Sequence, residues 1–303
     1  MKPYLLRFHR WLTLIFAAPL AVVIVTGLLL SFPPILQTAS IKPGSLTQET
    51  VAGYLARYDP DGKARSLRLD SFQNTLSIGG VGPDGQIDID LATGAEAEEE
   101  SWLADVLGAS RGVHQRLIYD LGWLVTGSTA AMVVIMLLGV FMGLPRFANS
   151  VSGWHKATAW TLLPLLVLSP VTALLMAGGV TFSAPAPRSP PVPIADAVRQ
   201  IAGAHDLSGL EWIRVRGGRQ LARVNTGSNQ ITYVVSREGL KPAPSNWPRT
   251  FHEGVFFGIW GGVMNVVLSL GFILLMGTGL WIWARRTFRR RRRTRREAVA
   301  ASA

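Results

Sequence analysis

The chain has 303 residues, of which 49% are hydrophobic, 16% charged and none Cys, and its formal net charge is +11. That apolar content excludes a disordered chain. The missing Cys excludes disulfides, thiolate zinc sites, iron–sulfur clusters, a Cys nucleophile and covalently attached c-type haem. An ordinary globular domain is about one quarter charged, so a large part of this chain is built for an environment other than water.

Four charge-free apolar runs account for the deficit: Leu12–Phe32, Leu121–Leu144, Ala157–Phe182 and Gly254–Ala284. Each reaches the ~20 residues that cross a bilayer as a helix. The predicted order is membrane helix 1 within 1–32, an outer domain over 33–113, helix 2 within 114–144 and a short inner loop over 145–154. Helix 3 follows within 155–182, then a second outer domain over 183–251, helix 4 within 252–284 and an Arg-rich tail over 285–303. Segments 1–11, 145–156 and 285–303 together hold 14 basic residues and one acid, Glu297. The positive-inside bias therefore puts both termini on the cytoplasmic side and the two long loops in the periplasm or its equivalent. The Arg tail reads as a topological anchor on anionic lipid. The first apolar run is too long for a signal peptide, and Ser31-Phe32-Pro33-Pro34 is no A-x-A cleavage site, so a retained helix is expected.

The outer loops read alike. The first predicts a helix over Leu46–Tyr58, started at Ser45 or by the capping pattern Thr47-Gln48-Glu49-Thr50, then strands over Ala64–Leu69, Asn74–Gly79 and Gln86–Leu91. The second predicts a helix over Ile194–Ala204, then strands over Leu210–Arg216, Gln220–Val224 and Gln230–Ser236. Gly79-Gly80, Pro83-Asp84-Gly85, Gly217-Gly218 and Thr226-Gly227-Ser228-Asn229 supply the turns. Each loop is thus a small α+β domain of helix and three-stranded meander. Pro185 to Pro193 is a stiff linker into the second. The run Glu96, Glu98, Glu99 and Glu100 reads as a solvated loop.

The spans repeat too. His9 lies 17 residues before Thr26, and His155 lies 17 before Thr172; His114 lies 25 before Gly139, and His252 lies 25 before Gly277. The fold expected is an α-helical membrane protein: a four-helix transmembrane bundle made of two parallel repeats, 1–146 and 147–303, each with an inserted α+β domain. A pseudo-two-fold axis along the membrane normal would relate them.

Four of the five His residues stand at the mouths of spans, His9 and His155 on the cytoplasmic side and His114 and His252 outside. The repeat pairs His9 with His155 and His114 with His252. Facing imidazoles can fill both axial positions of a haem iron and leave none open, which suits electron transfer. Two non-covalent b-type haems, one near each membrane face, would follow. Arg7, Arg10 and Lys156 inside, and Arg111 and Arg116 outside, stand where haem propionates could be met. Interfacial imidazoles with no ligand, or two-His zinc or copper sites, are the other readings of the same residues. His205 falls outside the pattern and reads as a surface residue. Gly254, Gly258 and Gly262 read as a helix-packing ridge on span 4, with room for a macrocycle as the alternative. Trp11, Trp123, Trp154, Trp281 and Trp283 cluster near span ends as an aromatic belt.

Phe8-His9-Arg10-Trp11 with Val25-Thr26-Gly27, Val113-His114-Gln115-Arg116, Gly153-Trp154-His155-Lys156, and Phe251-His252-Glu253-Gly254 with Gly277-Thr278-Gly279-Leu280-Trp281 resemble the PepSY-associated transmembrane family. The two outer domains are similar to PepSY domains, and the likeness covers nearly the whole chain. Members of that family include inner-membrane ferric-siderophore reductases of bacteria with two b-type haems. The resemblance implies haem ligation by His9, His155, His114 and His252, an inner-membrane location, and electron flow outward to iron for its uptake. No flavin or nicotinamide fingerprint appears, since the Gly-rich pieces sit in hairpin turns. The expected donor is a quinol or a separate flavoprotein. The second outer domain carries nine basic and four acidic residues, the first six and twelve. A basic domain of this kind could hold an anionic ferric chelate, with Arg214, Arg216, Arg219 and Arg223 as candidates. The rival is a non-redox membrane protein whose PepSY domains bind a protein or peptide as regulator or accessory subunit. A transporter of the chelate is disfavoured by spans that carry no Asp, Glu, Lys or Arg.

Overall fold

The computed structural model describes residues 2–97, 102–144 and 147–301. The expected acidic run at Glu98, Glu99 and Glu100, and residues 145 and 146 of the inner loop, lie outside the described residues. The chain forms two compact units. One comprises residues 1–30, 108–179 and 265–303, the other residues 31–107 and 180–264.

The first unit is helical. It contains α1 (Lys2–Leu30), most of α4 (Trp102–Arg116), α5 (Gly122–Phe141), α6 (Val151–Thr161), α7 (Leu163–Ala177) and the greater part of α10 (Ile259–Ala301). Helix α1 packs along α5, and α5 along α7. Leu20, Val23, Ile24, Ala131, Met132, Leu166, Leu268 and Phe272 are buried there. Small polar residues are buried with them: Ser128, Thr129 and Thr172 turn their hydroxyls back onto the Leu124, Val125 and Leu168 carbonyls at 2.6–2.8 Å. Helices in lipid approach closely through such residues, with each hydroxyl satisfied on its own helix. Ile15, Val22, Leu137, Phe141, Leu270 and Leu274 face outward; an apolar surface that continuous is stable only against lipid.

Among the described residues, three helices are long and apolar enough to cross a membrane, and four if α6 and α7 count as one broken span. The expected span 3 is not one rod. Helices α6 and α7 meet at Leu162 with a bend of 66°. Pro164 is the cause: it has no N–H for the preceding turn and its ring clashes with a carbonyl there, so the helix stops and restarts with Pro in its first turn. A slighter interruption at Ser31 separates α1 from α2 (Phe32–Ala39), whose first turn contains Pro33 and Pro34. Helix α10 runs unbroken past Ala284 into the Arg tail.

The second unit is a sheet covered by helices. Helix α3 (Gln48–Tyr58) is capped by the Thr47 hydroxyl, which accepts from the Thr50 N–H at 3.2 Å. Strands β1 (Ser66–Asp70), β2 (Thr75–Gly79) and β3 (Gln86–Asp90) follow it. Helix α8 (Ile194–Ala202) precedes β4 (Leu210–Arg216), β5 (Arg219–Asn225), β6 (Gln230–Ser236) and β7 (Gly239–Pro242). Gly217 and Gly218, with φ of 60° and 70°, give the β4–β5 hairpin two left-handed central residues. The strands expected from sequence stand within one or two residues of these; β7 is an addition.

The two loops do not fold as separate domains. They share one antiparallel sheet of order β3-β2-β1-β4-β5-β6-β7, joined where Ser66 opposes Arg214, Leu67 opposes Ile213 and Arg68 opposes Trp212. Alternation puts Leu67, Leu69, Leu76, Ile78, Ile87, Ile89, Ile213, Ala222, Val224, Tyr233 and Val235 on one face, against Val51, Leu55, Ala197, Val198 and Ile201 of α3 and α8. Each half therefore borrows core and an edge from the other.

Candidate functional site

The four candidate histidines are not placed one per span. His9 lies on α1 and His155 on α6, inside helices of the membrane-spanning set. His114 lies in the last turn of α4. It is separated from α5 by residues 117–121, of which Leu117, Tyr119 and Asp120 have positive φ. His252 lies on the short helix α9 (Trp247–Glu253), which Gly254 closes in the left-handed conformation at φ 67°. Gly258 also has positive φ, 55°. Gly254 and Gly258 are thus stop and connection residues ahead of α10, not a packing ridge, and only Gly262 of the three stands on the helix. Its bare face meets Ile35 and the Ser31 carbonyl.

Three of the four imidazoles are held through Nδ1 by a neighbouring helix. His9 Nδ1 is 2.9 Å from the Ile135 carbonyl of α5. His114 Nδ1 is 3.0 Å from the Val23 carbonyl and 3.1 Å from Thr26 Oγ1 on α1. His155 Nδ1 is 2.8 Å from Thr278 Oγ1 on α10. The partners fix the tautomer. A carbonyl can only accept. The Thr26 and Thr278 hydroxyls already donate to the Val22 and Leu274 carbonyls, at 2.7 and 2.6 Å, so toward the ring they accept. Nδ1 therefore carries the proton in each case, and the lone pair belongs to Nε2. A second-shell acceptor on one ring nitrogen is how metal-binding imidazoles are oriented and made more basic.

Glycine follows the threonine in both seats. A methyl group added at Gly27 would lie 3.1 Å from His114 Cε1, and one at Gly279 would lie 3.5 Å from His155 Cε1. Thr26 and Thr278 thus supply the acceptors, and Gly27 also leaves room that the His114 ring uses, whereas a methyl at Gly279 would make only ordinary contact. Sequence reading singled out these stretches but gave the threonines no role. A Thr-Gly step inside an otherwise aliphatic span was the available signal.

His9 and His155 lie within electrostatic range of each other. Between His9 and Thr26 run 17 residues of α1, a rise of about 26 Å. The His9 and His114 seats thus stand near opposite ends of one helix, close to the ~30 Å thickness of a hydrocarbon core. His252 belongs to the sheet unit. Arg7, Arg10, Arg111, Arg116 and Lys156 are all exposed, and Arg116 makes a loose ion pair with Asp120 at 3.9 Å. His205 is half-buried, its ring centroid 5.0 Å from that of Tyr233. No cluster of three or more His, Cys, Asp or Glu suited to an ion occurs among the described residues. The donor set is one of separate imidazoles, with the lone pair of His9, His114 and His155 on Nε2, which fits axial ligation of a planar cofactor better than chelation of a bare ion.

Fold and site together define a multi-spanning helical membrane protein that carries a β-sheet unit and seats imidazoles between its helices. The chain belongs to the family described as the PepSY-associated TM region, whose model matches residues 6–286, nearly the whole length. A comparison with curated proteins finds no match.

Proposed function

We propose that this protein is a b-type cytochrome of the bacterial inner membrane. In this reading it passes electrons outward through two bis-histidine haems to a ferric chelate, as a ferric-siderophore reductase of iron uptake. The observation that carries the reading is the repeated Nδ1 anchorage of His9, His114 and His155, which leaves Nε2 as the ligating atom. The pair His9 and His155 has further support in the electrostatic interaction between the two imidazoles within the helical unit. The pair His114 and His252 rests on the sequence repeat alone.

Haem, when bound, would supply one-electron redox chemistry; the protein's part is axial nitrogen, orientation and exclusion of water. The Ile135 carbonyl, the Val23 carbonyl and the Thr26 and Thr278 hydroxyls would hold the ligand rings. The exposed Arg7, Arg10, Lys156, Arg111 and Arg116 would meet propionates at the membrane edges. The fourteen basic residues of the expected cytoplasmic segments support the orientation. The electron donor in this reading is a quinol or a separate flavoprotein.

The test is a reduced-minus-oxidised spectrum of the purified protein, with a ferric chelate as oxidant. A sharp Soret band that falls by half in His9→Ala, and reoxidation by the chelate, are expected. Protein without such a band, or with one indifferent to His9→Ala and His252→Ala, would refute the cytochrome reading. It would favour a non-redox binding role for the sheet unit.

A further inference from the structure

The sheet has a second face, opposite α3 and α8, and arginine gathers on it. Trp212 of β4 opposes Arg223 of β5. The Arg214 guanidinium carbon stands 4.0 Å from the Trp212 ring centroid, and that of Arg223 stands 5.1 Å from it. Two guanidinium groups therefore share one indole. Arg249 reaches the same place from α9, and Arg214 is held below its ordinary pKa by burial and by Arg216, Arg223 and Arg249. Arg214 Nε is buried with no hydrogen-bond partner among the described residues.

Little negative charge answers them. Glu253 takes Arg223 at 3.6 Å and Arg249 at 3.7 Å, both loose contacts. A second carboxylate is Glu211, which is there because of a β-bulge. Leu210 opposes Val224 and Trp212 opposes Arg223, so Glu211 is an extra residue in β4. A bulge re-aims a side chain in this way. The Glu211 carboxyl lies inside the fold, accepts from Asn225 Nδ2 at 3.2 Å, and senses Arg223 of β5, Glu253 of α9 and Asp70 of β1. Asn225 is braced in turn by Thr38 of α2 at 2.9 Å. Burial pushes the Glu211 carboxyl up to about 7, outweighing the attraction of Arg223.

We propose that Trp212, Arg214, Arg223 and Arg249 form a binding site for a multivalent carboxylate anion, and that Glu211 couples its occupancy to the binding of a proton. Planar guanidinium forks match carboxylates two bonds at a time. Stacking on Trp212 holds Arg214 and Arg223 in place before the ligand arrives, which lowers the ordering cost of binding. When Glu211 is ionised it competes with the ligand for Arg223. When it is protonated, Arg223 is released to the anion. That an iron-bearing chelate is the natural occupant rests on the function proposed above; anion binding itself does not.

The experiment is calorimetric titration of the full chain in detergent micelles with citrate, with ferric citrate and with inorganic phosphate as probes. Citrate should bind, and Arg214→Ala and Arg223→Ala should each weaken it about tenfold or more, in line with loss of a bidentate charged contact. Arg214→Lys, which keeps the charge but not the fork, should recover only part of the loss. One coupled proton weakens binding by at most about tenfold per pH unit. The native protein should therefore lose several-fold affinity between about pH 6 and about pH 8, and Glu211→Gln should flatten that profile. Citrate affinity indifferent to both Ala variants, a pH profile identical in Glu211→Gln, or phosphate bound as tightly as citrate would overturn the proposal. Repeating the titration on His9→Ala separates the two readings: citrate binding retained there, with haem lost, sustains this site whatever becomes of the cytochrome.

Discussion

Thr278→Val tests the seat of His155 directly. Valine keeps the shape of threonine and removes only the hydroxyl, the atom that stands 2.8 Å from His155 Nδ1. The Thr278 hydroxyl is committed as a donor to the Leu274 carbonyl at 2.6 Å, so what the variant deletes is an acceptor. A neutral hydrogen bond contributes about 1 kcal/mol net, and a buried donor left unmet costs about 1–3 kcal/mol. The neighbouring Leu275 carbonyl is within reach of the ring and can recover part of this. At about 1.4 kcal/mol per factor of ten, bound haem should be held roughly 5- to 100-fold less tightly, overlapping the roughly 10- to 100-fold loss typical when second-shell partners of metal-binding histidines are removed. The assay is haem retention by purified protein challenged with a haem-scavenging apoprotein, read from the Soret band. Thr278→Ser keeps the acceptor and should behave as the native chain. Native retention in Thr278→Val, or equal loss in Thr278→Ser, would refute the assignment of Nδ1 as the anchored nitrogen.

The two glycine seats should differ. Gly27→Ala puts a methyl 3.1 Å from His114 and, if His114 ligates a haem as proposed, should broaden or shift that spectrum, whereas Gly279→Ala, at 3.5 Å from His155, is an ordinary contact and should leave the spectrum unchanged. Leu67→Ala empties a fully buried position at the junction of the half-sheets and should destabilise the sheet unit by about 2–5 kcal/mol in denaturant titrations followed by tryptophan fluorescence. Glu211 gives a pH signature. Burial holds its carboxyl at about 7 in the folded chain, against the ordinary 4.5 of an exposed Glu, so between those limits the folded state binds more protons than the unfolded one. Stability must then fall as pH rises through that window, by about 3 kcal/mol at full ionisation. The pH series of unfolding midpoints should show this fall and Glu211→Gln should abolish it.

Period and punctuation made much of the fold legible. Alternating Leu and Ile in 66–70, 75–79 and 86–90 mark strands because one face must be buried, and the charge-free runs mark membrane helices because no polar side chain can be met in lipid. What escaped was non-local. Nothing in Leu67 or Ile213 announces that they pair across the middle of one sheet, since a hydrophobic edge reads the same whatever covers it. The break at Leu162 was present in the sequence as Pro164 but was masked by the hydrophobicity around it. The glycines 254, 258 and 262 had helical spacing and served different ends, because φ, not spacing, decides what a glycine is for. At the site, the histidines were visible by residue type. Their anchors were not, because a carbonyl of Ile135 or Val23 carries no sequence signal. Arg249 joined the arginine face from a separate helix, and Glu211 joined it through a bulge, a register change that alternation cannot foresee.

The pairing of β1 with β4 sets a timetable. Residues 66–70 are made long before residues 210–216, and two apolar membrane segments are made in between. Until β4 exists, β1 is an open strand edge with half a core beneath it, free to pair with any extended chain nearby. Late, distant strand pairing of this kind is slow to form. The first half-sheet is therefore the stage of biogenesis most in need of a holding chaperone, and a chain truncated before Leu210 should aggregate rather than leave a small stable domain.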